Sequence, residues 1–165
     1  LHDALPILSL SPAEAEGVEG MTGHSGEPAA VSRARDARFR QVVVSAYDFT
    51  CALTGHRLVT LNAGSLVDAA HIRPVSHQGP CVIANGVALC KNAHWAFDSG
   101  LWTFGRDYCV RVSPNSFQEK LVPDALGFLL RDAAGRMIHL PRRQEYWPDP
   151  SHIRWHNRQF GIPDP

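Results

Sequence analysis

The run from Asp68 to Asp98, DAAHIRPVSHQGPCVIANGVALCKNAHWAFD, constrains this chain more than any other stretch. LVDAAHI, residues 66–72, alternates briefly and reads as a strand; Pro74 stops it, because proline has no N–H to give a ladder. His77 to Ala84 reads as a polar loop containing glycine. GVALC, residues 86–90, suits a second strand, and KNAHWAFDSG a helix closed by Gly100. This strand, loop, strand, helix unit presents His71, Asn85 and His94 in order, with Asp98 one helical turn later.

The flanks read as support. Phe39, Val42, Val43, Ala46 and Tyr47 recur at steps of three and four, which predicts a helix from Ser32 with one apolar face and Arg33, Arg35, Arg38 and Arg40 crowding its first half. CALTGHRL, residues 51–58, reads as a knuckle turning at Thr54-Gly55, followed by a loop from Asn62 to Ser65. LWTF and YCVRV alternate on either side of Gly105-Arg106-Asp107, a hairpin pattern. Gln118 to Leu130 is ambiguous around Pro123, GRMIHLP reads as a last strand after an Ala134-Gly135 turn, and a final helix opens at Pro150-Ser151 with Ser151 as N-cap. No repeat is visible. The expected organisation is a weakly ordered tail or linker over 1–31 and one domain over 32–165, with its core motif at 66–100.

Charge restricts the choice of partner. The 165 residues carry 16 cationic and 16 anionic side chains, so general attraction to a polyanion is absent and any nucleic-acid contact has to be local. Two of the cations are lysine and 14 are arginine, whose fork can hold phosphate oxygens with two parallel hydrogen bonds. Four cysteines without a Cys-x-x-Cys pair argue against a disulfide scaffold, which predicts a cytoplasmic setting. LHDALPILSL fails as a secretory signal and no stretch nears the roughly 20 apolar residues of a membrane span. The start at Leu1 rather than methionine reads as a fragment or trimmed product.

The central residues suit hydrolysis of a phosphodiester. That reaction needs a deprotonated water in line with the leaving oxygen and something to absorb charge around phosphorus. An imidazole, with a pKa near neutrality, can take the proton, and His71 stands at a strand end where it can face a groove. His94 and Asp98, four apart on a helix, rise from one face and can share a divalent ion, with Mg²⁺, Mn²⁺, Zn²⁺ and Ni²⁺ all compatible. Asn85, ahead of Gly86, marks a turn whose side-chain amide can also pin the loop and fix the setting of His71. Each feature has a bland reading: a packed histidine, a helical His–Asp hydrogen bond, a turn asparagine.

In order and register these residues resemble the HNH endonuclease family, whose fold is the ββα-metal finger. AHIRP, NGVALC and NAHWAFD carry the resemblance, and CALTG, LWTF and the tail IHLPRRQEYWPDPSHIRWHNRQF are similar to a bacterial restriction-type branch, so it covers roughly residues 36–160. The resemblance implies an α+β fold, a ββα-metal core with flanking helices and a β-hairpin. It implies His71 as general base, Asn85 as orienting residue, and His94 with Asp98 as metal ligands. The cofactor implied is one divalent ion, Mg²⁺ foremost, and the partner is DNA, held by Arg73, Arg38 and Arg40. A homodimer and an upstream recognition domain are further expectations.

There are two departures from the family pattern. The position before the base, often a ligand, is Ala70, and Asp68, on the same strand face as Ala70, either supplies the missing carboxylate, directly or through water, or is a structural or orienting partner. Relatives often carry two Cys-x-x-Cys pairs, but here Thr54 and Ala93 stand where second cysteines would, so no structural zinc is expected and Cys51 and Cys90 should face each other in the core. The reading is a metal-dependent DNA endonuclease. Its competitor is a finger that binds nucleic acid or protein and has lost its chemistry.

Overall fold

The computed structural model describes residues 29–60, 64–113, 117–120 and 130–163. Helix α1 (Ala29–Ala46) starts three residues before the boundary expected between tail and domain, and the rest of that expected tail lies outside the described residues. Two two-residue strands, β1 (Val59–Thr60) and β2 (Gly64–Ser65), pair where a loop was expected. The central unit is β3 (Val67–His71), β4 (Gly86–Cys90) and α2 (Lys91–Asp98), as the alternation, loop and helical spacing predict. β5 (Trp102–Phe104) and β6 (Val110–Val112) form the hairpin, followed by one turn of helix, α3 (Leu130–Ala133), and by α4 (Pro150–Gln159). The class is α+β, with three separate two-stranded antiparallel sheets among the described residues.

The register of β3 on β4 runs from Val67 opposite Cys90 to His71 opposite Gly86. α1 lays Phe39, Val43, Val44 and Tyr47 on this pair, and α2 buries Ala93, Ala96 and Phe97 beneath it. Gly86 is required by that packing. A Cβ there would collide with the Val43 side chain and stand 3.1 Å from the Phe39 ring. The knuckle at Cys51 threads into the same core. Ala52 N–H donates to the Ala88 carbonyl at 2.8 Å, and the Cys51 and Cys90 sulfurs stand 3.6 Å apart, face to face as expected. Contact with the Cys90 thiol, aided by backbone amides, draws the Cys51 pKa down, and the same contact pushes that of Cys90 up.

Local chemistry sets the ends of the elements. Gly100, at φ +68, takes the left-handed conformation that closes α2, and its N–H donates to the Phe97 carbonyl at 3.0 Å. α4 is capped by Asp149 and not by Ser151: Pro150 fills the first helical position, and the Asp149 carboxylate accepts the Ser151 N–H at 2.7 Å. GRMIHLP does not become a strand. It contributes one bridge, Met137 to Cys109, and the His139 N–H on its other side donates to the Ala52 carbonyl at 2.7 Å. The stretch from Gln118 to Leu130 lies largely outside the described residues.

α4 docks on the hairpin through a buried polar cluster. The Thr103 hydroxyl donates to Asn157 Oδ1 at 2.6 Å and also lies 3.0 Å from His156 Nδ1, while Asn157 Nδ2 donates to the Phe104 carbonyl at 3.2 Å. On the other side of its ring, His156 Nε2 meets the Phe97 carbonyl at 3.2 Å, and the imidazole stacks on the Phe97 ring at 3.8 Å. The last helix is thereby fixed against α2, at the residue next to Asp98. No helix of the described residues is long and apolar enough to cross a membrane.

Candidate active site

His71 is the last residue of β3, and both its ring face and one ring edge are fixed. The imidazole stacks on Phe39 with 3.8 Å between centroids and 10° between planes. Its Nε2 lies 3.4 Å from the sulfur of the buried Cys81. Burial holds the His71 pKa down at about 4; the Asp36 carboxylate pulls it upward, and Arg35 and His94 press it further down. At neutral pH the ring is uncharged and able to accept a proton.

His94 and Asp98 are brought together on α2, with His94 Nε2 and Asp98 Oδ2 3.3 Å apart, His94 three-quarters buried and Asp98 exposed. Both border the same groove as His71 and Ala69, a cavity of about 610 Å³. Its other walls come from the loop after β3, with Pro74, Val75 and His77, from Arg35 and Asp36 of α1, and from Trp155 and Phe160 of the α4 region. A nitrogen and a carboxylate oxygen at this separation fit a shared divalent cation. No group of three or more His, Cys, Asp or Glu assembles as a metal site among the described residues.

Asn85 does not line the groove but sits fully buried behind it, 0 % exposed, in a 3₁₀ turn over Ile83–Asn85. Its Oδ1 accepts the Arg73 N–H at 2.9 Å, and its Nδ2 donates to the carbonyls of Arg73 at 2.9 Å and Pro80 at 2.8 Å. One amide thus ties the end of β3 to the far side of the loop. Gly79 completes the turn, because a Cβ there would fall on the Arg73 carbonyl.

Asp68 is not brought to this group. Side chains alternate along β3, so Val67, Ala69 and His71 share one face and Asp68 and Ala70 the other. Asp68 instead meets Arg40 at 2.9 Å and Lys91 at 3.7 Å, in a separate pocket, which corrects its expected place among the ligands. The same pair removes Arg40 from the groove. Arg38 is exposed on α1 and does not line the groove either. Arg73 does not line it but packs beside two residues that do: its Nε donates to the His77 carbonyl at 2.7 Å and its guanidinium carbon stands 5.7 Å from the centre of the Trp155 ring.

The groove residues Arg35, Asp36 and Trp155, and the buried Cys81 beside His71, stand outside the motifs that mark the site in the sequence. Arg35 and Asp36 carry no signal beyond a charged helix start, and Cys81 and Trp155 carry none of their own. The spacing of apolar residues along α4 puts Trp155 on a helix but does not say which groove that helix walls.

Residues 51–105 match the model of a family described as HNH endonuclease. The matched segment runs from the Cys51 knuckle through β5 and contains His71, Asn85, His94 and Asp98, so the part of the chain that carries the site is of HNH endonuclease type. No curated protein matches the chain. Among solved structures, the modification dependent TagI restriction endonuclease is 26 % identical, with a TM-score of 0.53 over 78 % of this chain and 38 % of its own. A type IV phosphorothioation-dependent restriction endonuclease, ScoMcrA, is 25 % identical over 51 % of this chain and 18 % of its own, with a TM-score of 0.36. The chain spans well under half the length of either.

Proposed function

We propose that this chain is a metal-dependent endonuclease acting on DNA, and that it serves as the nuclease part of a restriction-type protein. What carries the reading is the convergence of His71, His94 and Asp98 on one groove. The match to the HNH endonuclease family and the likeness to a restriction endonuclease over most of this chain support it.

His71 takes the proton of a water positioned in the groove. The water oxygen bonds to phosphorus as the bond to the leaving oxygen breaks, and that oxygen acquires a proton from solvent. A neutral ring is the required starting state, and the partly buried setting of His71 provides it. A positioned base of this kind contributes about 10²- to 10⁴-fold. His94 and Asp98 are the residues that would hold a divalent ion, and such an ion would supply charge stabilisation at the phosphate. Asn85 sets the loop and the strand end from which His71 projects, and Arg73 contacts the strand beside the groove. Contacts to phosphate carry no base information, so the chain alone cleaves with weak sequence preference.

The test is nicking of supercoiled plasmid with Mg²⁺ or Mn²⁺. Wild type converts it to open circles and His71→Ala does so at least about 100-fold more slowly. Equal rates would remove the mechanism. A finger that only binds would show no divalent-ion binding, by calorimetry, that is lost on His94→Ala.

A further inference from the structure

The imidazole of His71 has two nitrogens, and only one can carry the base function. Phe39 lies flat on the ring, which prevents rotation out of plane without losing the stack. Nε2 points into the protein at Cys81 Sγ, 3.4 Å away, an ordinary distance for N–H to sulfur. Cys81 is 1 % exposed, so no water replaces it at that edge. The same sulfur is 4.0 Å from Asp36 Oδ1 on α1, towards which its S–H is directed. Among the described residues Nδ1 has no hydrogen-bond partner.

We propose that Cys81, backed by Asp36, is the positioning residue that sets the tautomer of His71: its sulfur accepts the Nε2–H, its S–H turns to the Asp36 carboxylate, and Nδ1 is left bare as the atom that takes the proton from water. The opposite orientation, S–H donating to Nε2, would place the ring proton on Nδ1 and block the base. The carboxylate decides between the two, since a charged oxygen is a far better acceptor for S–H than a neutral ring nitrogen is. This inference rests on the hydrolytic reading above for its kinetic consequence, but not for the tautomer itself. It extends the site beyond the family-matched segment, because Asp36 and Phe39 both lie on α1, ahead of residue 51.

The test combines ¹⁵N-histidine two-bond ¹H–¹⁵N spectra, which report the tautomer of each ring, with plasmid nicking in Mg²⁺. In wild type at pH 7.5 His71, assigned by the peak lost in His71→Ala, is the Nε2–H tautomer; in Cys81→Ala it becomes a mixture. Cys81→Ala lowers kcat about 10-fold, the size of effect seen when the partner that orients a working histidine is removed, with KM changed less than about 2-fold. Cys81→Ser, which keeps an acceptor and a donor, restores most of the rate and the wild-type tautomer. An Nδ1–H tautomer in wild type overturns the proposal, and so does a Cys81→Ala protein with unchanged spectra and rate. If Cys81→Ala does not fold, the wild-type spectrum and the Ser variant still decide. If His71→Ala is inactive while Cys81→Ala is fully active, the positioning role fails and the nuclease reading stands. If wild type shows the expected tautomer yet cleaves nothing, the tautomer assignment holds and the nuclease reading fails.

Discussion

The side-chain amide of Asn85 holds both backbone polar groups of Arg73, accepting its N–H and donating to its carbonyl, each at 2.9 Å. Together with the bond to Pro80 this satisfies three loop groups that would otherwise be buried without partners. Asn85→Ala should cost about 2–4 kcal/mol of stability by urea unfolding, because unpaired buried groups carry their full desolvation penalty. Asn85→Asp should be no better, since it keeps the acceptor for Arg73 N–H but sets a carboxylate against two carbonyls. Either variant as stable as wild type would show that the loop does not depend on this amide.

Gly86 stands opposite His71 in the ladder, under Phe39 and Val43. Gly86→Ala should destabilise by about 1–3 kcal/mol through overpacking. It should also lower the nicking rate more than its stability loss explains, because the ring displaced is the one on which His71 stacks. Rates normalised to the folded fraction at 25 °C provide the check. A normalised rate equal to that of wild type would show that the Phe39 stack does not position the base.

Asp68 pairs with Arg40 and Lys91 away from the groove, so it should not contribute to metal binding. Asp68→Asn should leave Mn²⁺ affinity, by calorimetry, within about 2-fold, and change stability by less than about 1 kcal/mol because both its partners are largely exposed. Asp98→Ala should weaken Mn²⁺ by at least about 10-fold. The reverse pattern would return Asp68 to the ligand set.

Burial, outweighing the Phe97 carbonyl and Asp98, holds His156 at about 4, below the 6.5 of a free histidine. The unfolded chain therefore binds a proton that the native chain refuses between about 6.5 and 4. Stability is fully present above that window, rises with pH through it, and falls by up to about 3 kcal/mol as pH drops towards its lower edge. His71 is shifted in the same direction, so His156→Gln should remove part of the pH dependence and not all of it. Urea unfolding at pH 4.5 and 7.5 measures it, and an equal pH difference in variant and wild type would mean that His156 titrates normally.

How much of the fold and site is legible in the sequence depends on how far each relationship reaches along the chain. Strand period, turn residues and the four-residue step from His94 to Asp98 are local, and β3, β4, α2 and the hairpin lie where their patterns put them. Period-two alternation also contains the answer for Asp68, because it separates residue 68 from residue 71 as firmly as it joins 68 to 70. The N-cap of α4 falls two residues before the expected Ser151, because Pro150 shifts the helix start and leaves Asp149 as the cap. Non-local contacts are out of reach of pattern. Cys81 meets His71 across a loop whose path is set by the Asn85 amide, and α4 walls the groove only because Thr103 grips His156 and Asn157 more than fifty residues away.

Two walls of the groove arrive from opposite ends of the polypeptide, α1 before the finger and α4 after it. During synthesis, then, His71, His94 and Asp98 are made before one side of their cleft exists. The groove is complete only when residues 150–160 have been made and docked. A half-made chain in this design is a blade without its second jaw.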